Sequence, residues 1–285
     1  MFNFKNSKKK KNSETSEDSE MSFWDHLEVL RWLLIRSIIA VLVFTSLGLI
    51  FKDFIFDNII LAPKRADFIT NRLLCWLGQK VNIDYFCVND LNLKIINTEL
   101  TGQFTTHLNI SIVGGLILAI PYILWEIWRF VKPALKEKER KHSKSFVFVT
   151  SGLFFSGVLF AYFVVVPLMV NFLGKYKVSE TVDNYVNLSS YISTVTNLTF
   201  AVGCVFEFPV LVYFLTKIGI LNPAFLRKYR RHTIVLILIV AAIITPPDVF
   251  SQILVSIPLY ALFEMSIYIS QRIYNKKQKQ AEETV

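Results

Sequence analysis

Cysteine and histidine are scarce in this chain, with 3 and 4 respectively among 285 residues. There is no dense set of regularly spaced cysteines and no Cys-x-x-Cys pair, which excludes a disulfide-framework domain and the common zinc ribbons. His26, His107, His142 and His232 are scattered, and no His-Glu-x-x-His pattern places two of them on one helix face. Neither a Gly-x-Ser-x-Gly elbow nor a phosphate-binding glycine loop is present. Nucleophile, metal and nucleotide chemistry therefore lack their usual carriers; no cofactor and no metal is expected, and an enzyme is not. A cleavable signal peptide is also not expected, because the first apolar run begins near Trp32, behind a long charged segment.

What the chain does have is apolar surface. Hydrophobic residues make up 53%, the mean hydropathy is +0.44, and 25 residues are Phe. A polytopic membrane protein follows. The net charge of +9 and pI near 9.4 do not indicate nucleic acid, since the basic residues cluster in short loops between apolar runs. Six such runs stand out: Trp32–Phe51, Leu108–Val131, Phe146–Leu173, Val195–Leu215, Thr233–Thr245 and Val249–Ser270. A helix needs about 20 residues to cross a bilayer core of about 30 Å. The fifth run, of about 13 residues, rises only about 20 Å. Counting it as a thin span gives the more consistent charge pattern.

Lys and Arg alternate sharply between loops. Lys132, Lys136, Lys138, Arg140, Lys141 and Lys144 follow the second run; Lys217, Arg227, Lys228, Arg230 and Arg231 follow the fourth. The chain ends carry Lys8 to Lys11, and Lys276, Lys277 and Lys279. The positive-inside rule places both termini and these loops in the cytoplasm. Residues 1–21 read as a charged disordered tail, 22–271 as the six-span domain with an extended outer loop at about 53–105, and 272–285 as a basic tail. Ser22 to Asp25 resembles a capping box, and Phe23, Trp24, Leu27, Leu30 and Leu34 recur at helical spacing, predicting a short interfacial helix before the first span.

Glu207 lies within an apolar run, with Pro209 two residues on. An acid at the centre of a membrane helix costs about 2.5–3.5 kcal/mol on insertion scales, so a wet cavity, a partner or a proton path is implied. Pro63, Pro121, Pro167, Pro209, Pro246, Pro247 and Pro258 punctuate the spans or their ends; each proline inside a helix frees a carbonyl and bends the axis. Pro246-Pro247 forces a turn between the last two spans, Asp248 is placed to cap the sixth, and Gln252 lies one turn further. Cys75 and Cys87 share the long outer loop: either they pair in a disulfide, which an oxidising compartment permits, or they are two buried thiols.

The chain carries Thr245-Pro-Pro-Asp-Val-Phe-Ser-Gln252, Ile257-Pro-Leu-Tyr-Ala-Leu-Phe-Glu264, Phe160-Ala-Tyr-Phe-Val-Val-Val-Pro167, Val205-Phe-Glu-Phe-Pro209, Phe130-Val-Lys-Pro-Ala-Leu-Lys-Glu-Lys-Glu-Arg140, and His26-Leu27 with Leu30-Arg31. Together these motifs resemble the TatC family, the multispanning core of the twin-arginine protein translocase. The fold expected is an all-α membrane protein of six transmembrane helices, several proline-kinked and the last two short, with a concave outline and both termini cytoplasmic. The resemblance implies a receptor in the inner membrane that binds twin-arginine signal peptides of folded cargo. It also implies assembly with single-span TatA and TatB partners and with further copies of itself, with export driven by the protonmotive force.

The resemblance assigns signal-peptide binding to Glu139 and Phe130, with His26, Arg31 and Glu28 at the amino-terminal helix. Two adjacent guanidiniums need carboxylates in a fork-compatible arrangement. The family pattern His-Leu-x-Glu-Leu-Arg is broken here. Val29 stands at the expected carboxylate and Glu28 is displaced by one residue, about 100° around a helix. Either Glu28 substitutes from a rotated helix or Glu139 carries more of the recognition. Glu207 is expected to be an intramembrane polar patch that contacts either Gln252 or a polar residue of a partner helix, and Gln252 to point towards neighbouring polar groups or a partner helix. The alternative is a proton- or ion-coupled secondary transporter that uses Glu207, although no internal repeat supports it.

Overall fold

The computed structural model describes residues 23–81, 94–131, 143–179, 181 and 184–282. The expected tail 1–21, Cys87 and the basic segment 132–142 with Glu139 lie outside the described residues. Helix α1 spans Phe23–Ile50. The expected interfacial helix and first span are one continuous element, since neither glycine nor proline interrupts the chain before Gly48. A π-helical turn (Ile55–Ile60) and a 3-10 turn (Ala62–Lys64) that buries Pro63 lead to α2, Ile69–Val81, and to a short strand β1, Lys94–Ile96. Helix α3 (Gly102–Val131) runs back antiparallel to α1.

Helix α4 (Ser143–Phe160) passes through a π-helical turn, Ala161–Val165, into α5, Val166–Lys175. Strand β2 (Tyr185–Asn187) then opens α6, Leu188–Phe206, and Glu207 alone separates α6 from α7, Phe208–Ile218. Helices α8 (Pro223–Lys228), α9 (Arg230–Ile244) and α10 (Val249–Glu282) complete the described chain. β1 and β2 pair in parallel, Lys94 opposite Tyr185 and Ile96 opposite Asn187. An all-α expectation misses this pair because three-residue strands are too short to show an alternating pattern.

Five helical stretches among the described residues are long and apolar enough to cross a membrane: Leu27–Ile50, Gly102–Val131, Phe146–Lys175, Leu188–Ile218 and Val249–Lys279. The expected fifth span, α9, has 15 residues and rises about 22 Å, less than a full crossing. The expectation that both final spans are short is corrected for α10, which has 34 residues. Its apolar run ends near Ser270, but Gln271–Glu282 contains no glycine or proline and is rich in Lys and Gln, so no stop signal ends the helix there.

The core gathers around α6. Leu188, Tyr191, Ile192, Val195, Leu198, Val202 and Phe206 recur at three- and four-residue steps and are buried against α4, α5 and the neighbouring helices. Small residues allow the backbones to meet. A Cβ at Gly157 would stand 2.7 Å from Phe206 Cγ, and one at Gly115 would stand 2.7 Å from the backbone nitrogen of Thr45. Cys204 is an exposed free thiol on α6.

The π-helical turn has a sequence cause. Pro167 has no N–H, so the Phe163 carbonyl four residues earlier loses its helical donor. The Thr70 hydroxyl donates to that carbonyl, docking the start of α2 on the third apolar stretch. Phe68 stacks on Phe163 at 5.6 Å and meets Tyr162 edge-on at 5.7 Å. Tyr162 and Tyr191 hydroxyls donate to the carbonyls of Ile59 and Ile60, which ties the segment between α1 and α2 to the π-helical turn after α4 and to α6.

Candidate functional site

α1 and α3 pack closely along their middles and part near the start of α1 and the end of α3. Glu28, Val29, Trp32, Leu33 and Arg36 from α1 face Glu126, Arg129 and Phe130 from α3 across a cavity of about 400 Å³. Val29, Leu33 and Arg36 lie on one stripe of α1, and Glu126, Arg129 and Phe130 on one stripe of α3, as three- and four-residue steps require. Glu126 is only 5% exposed. Its Oε2 is 3.7 Å from Arg36 Nη1, its Oε1 is 4.0 Å from Arg129 Nη1, and the Tyr122 hydroxyl donates to Oε1 at 3.2 Å.

The loop expected to recognise a peptide leaves from this wall. Trp128 on α3 stacks on Phe146 at the start of α4, centroids 4.1 Å apart, and Phe146 in turn meets Tyr213 of α7 at 6.0 Å. The two helix ends that bound residues 132–142 are thus clasped together by aromatic contacts. Of the residues expected at the site, Glu28 and Phe130 line the cavity. Arg31 is exposed on α1 but does not line it, and His26 is helical with a side chain outside the described residues. Glu139 lies outside the described residues altogether.

Sequence reasoning missed Glu126, Arg36, Arg129 and Trp32. The signal was present: Glu126 is the sole acid in the run Leu108–Val131, and Arg36 the sole charge in Trp32–Phe51. The criterion that singled out Glu207 applies equally to both.

Glu207 sits at the break between α6 and α7, and neither of its carboxylate oxygens has a hydrogen-bond partner among the described residues. Its carbonyl accepts from Val210 and Leu211 N–H groups, and Pro209 occupies the first turn of α7. The expected contact with Gln252 is absent, because the Gln252 amide donates instead to the Leu238 carbonyl on α9 at 3.0 Å. The two residues therefore do not form one patch.

At the turn before α10, Pro246 and Pro247 end α9, and Asp248 Oδ1 accepts from Ser251 N–H at 2.6 Å. Arg230 at the start of α9 pairs with Glu264 on α10. At the opposite end of the molecule, Cys75 on α2 is disulfide-bonded. A second cavity there, of about 660 Å³, lies between Lys52, Asp57, Lys64, Asn97 and His107. Among the described residues no three His, Cys, Asp or Glu side chains come together as a metal site.

Comparison with known proteins fits this architecture. The family model for TatC, Sec-independent protein translocase protein, matches residues 25–258. The Sec-independent protein translocase protein TatC of Blattabacterium sp. subsp. Periplaneta americana is 41% identical over 264 residues, covering 92% of this chain and 99% of the relative. That of Carboxydothermus hydrogenoformans is 36% identical over 262 residues, covering 92% and 97%. A solved structure, the crystal structure of the twin arginine translocase receptor TatC, superposes with a TM-score of 0.69 at 32% identity, covering 87% of this chain and 99% of that one. With a matching family model over most of its length and relatives of this similarity, the chain belongs to the TatC family of Sec-independent protein translocase proteins.

Proposed function

We propose that this chain is the receptor and core subunit of a twin-arginine translocase, binding the signal peptides of folded cargo at the α1–α3 cavity and the adjoining loop 132–142. Family membership makes it a multi-pass membrane component of a protein translocase, not an enzyme. The finer reading rests on one observation: the cavity joins apolar walls (Val29, Trp32, Leu33, Phe130) to carboxylates (Glu28, Glu126) beside the loop that holds Glu139. A peptide carrying two arginines followed by an apolar stretch needs such a combination. Both termini and this cavity face the cytoplasm of an inner-membrane protein in this reading, α9 is the fifth, thin span of six, and the proline-interrupted helices form a concave wall.

The unpartnered Glu207 is the candidate contact for a polar residue on a TatA- or TatB-type single-span partner, and copies of the chain associate within the receptor complex. On the outer side, Cys75 pairs with Cys87; full thiol labelling of both in the folded, unreduced protein would exclude that bond. The recognition test is photocrosslinking of a twin-arginine signal peptide and of its Lys-Lys variant to the membrane-embedded protein. Crosslinks for the first alone, mapping to α1, the end of α3 and the loop, are expected. Equal crosslinking of the two would overturn the assignment. Solute uptake by liposomes that hold the protein without TatA would favour a transporter built on Glu207.

A further inference from the structure

Glu126 is well compensated in charge and poorly satisfied in bonding. An ionised carboxylate offers about four acceptor positions, and charge-assisted N–H···O bonds run at about 2.7–2.9 Å. Glu126 has two guanidiniums at 3.7 and 4.0 Å, each beyond that range, and one hydroxyl at 3.2 Å. It is nonetheless buried, at the foot of the cavity. Its resident cations are loosely held: the Arg36 side chain is 41% exposed and that of Arg129 is 62% exposed. Across the cavity Val29 offers no acceptor, and Glu28 is exposed at the rim.

We propose that Glu126 is a guanidinium-accepting carboxylate of the recognition cavity, and that Arg36 is a resident stand-in which an arginine of the cargo peptide displaces. The proposal rests on the reading of this cavity as the signal-peptide site. A cargo guanidinium entering from the cavity meets the open acceptor positions of Glu126 head on, where a planar fork forms two parallel bonds. Arg36 then swings to the surrounding water and lipid headgroups, for which its long, half-exposed side chain is suited. In the empty state the Arg36–Glu126 contact keeps a buried charge from standing alone. A lysine ammonium cannot reproduce the fork, so the exchange also selects Arg over Lys.

A purely structural ion pair and an exchangeable one predict different signs. The test measures binding of a fluorescent twin-arginine peptide to the purified full chain in nanodiscs, for wild type, Glu126→Gln, Arg36→Gln, and the swap Arg36→Glu with Glu126→Arg. The expected results are a loss of about tenfold or more for Glu126→Gln and a gain of a few-fold for Arg36→Gln, which removes the competitor. For the swap, binding should be lost while the thermal midpoint stays near wild type. Equal losses in Glu126→Gln and Arg36→Gln, or wild-type binding by Glu126→Gln or by the swap, would overturn the proposal. Those outcomes leave the cavity reading intact, provided wild type prefers the Arg-Arg peptide to the Lys-Lys one. Absence of that preference in wild type overturns both.

Discussion

Among the acids that interrupt apolar helices, Glu126 and Glu207 are treated differently by the chain. Glu126 lies where α1 and α3 part, with Arg36, Arg129 and the Tyr122 hydroxyl around its carboxylate. Glu207 lies at the break between α6 and α7, with no partner for either oxygen among the described residues. Burying a lone carboxylate is costly, and an internal cation offsets that cost while an empty surrounding does not. The first acid has its charge answered within the chain, though acceptor positions stay open toward the cavity. The second belongs to a site that another molecule completes, or that the chain tolerates unfilled.

The sharpest way to break this division is to ask which acids a peptide needs. Glu139→Ala is expected to abolish crosslinking of a twin-arginine peptide, Glu28→Ala to weaken it, and Glu207→Ala to leave it unchanged while lowering crosslinks to single-span partners and export. Loss of peptide crosslinking in Glu207→Ala would merge the two regions into one site. Unchanged crosslinking in Glu139→Ala would remove the loop from recognition.

Stability gives a second contrast, with opposite signs. Glu126→Ala strips the counter-charge from two arginines and deprives the Tyr122 hydroxyl of its acceptor, so a loss of about 1–3 kcal/mol is expected. Glu207→Ala removes an unsatisfied carboxylate next to a helix break and is expected to leave the thermal midpoint unchanged or raise it. Melting curves of both variants in one detergent decide the matter. A lowered midpoint for Glu207→Ala would mean that the acid has a stabilising partner inside the chain.

A third perturbation acts on the cavity through its hinge of close packing. Gly115 sits where α1 and α3 touch: an added Cβ would meet the Thr45 backbone nitrogen at 2.7 Å and its Cα at 2.9 Å, and backbone cannot rotate aside. Gly115→Ala therefore spreads the two helices, at a cost of about 1–3 kcal/mol, and draws Arg36 away from Glu126. Gly114→Ala, with nothing within 4 Å of the new atom, is the matched control and should behave as wild type. Peptide binding should change in the first and not in the second. Equal behaviour would mean that the helix spacing does not set the cavity.

The same contrast shows what was legible in the sequence. The long apolar runs and the breaks at Glu207 and Pro246-Pro247 could be read directly, because hydropathy and proline act locally. Glu207 was conspicuous for the same reason. Glu126 was equally visible as a lone acid, yet its meaning depends on Arg36, some ninety positions away and brought near only by the antiparallel packing of α1 on α3. The donor that Thr70 supplies to the carbonyl freed by Pro167 is hidden in the same way. The end of α10 was misread because an apolar run marks where lipid contact stops, not where a helix stops.

Asp248 supplies the smallest test and a third kind of carboxylate. Its Oδ1 takes the Ser251 N–H at 2.6 Å at the start of α10, so its partner is backbone, neither an arginine nor an outside molecule. Asp248→Ala is expected to cost about 0.5–2 kcal/mol, and Asp248→Asn much less, since both Asp and Asn accept from the first helical turn. Peptide binding should be untouched in both, because the cap lies in the turn between α9 and α10, far along the chain from the α1–α3 cavity. If Asn loses as much as Ala, the charge rather than the acceptor is what α10 uses. The helix dipole would then explain the residue, and Asp248 would join Glu126 among acids whose charge is answered within the chain.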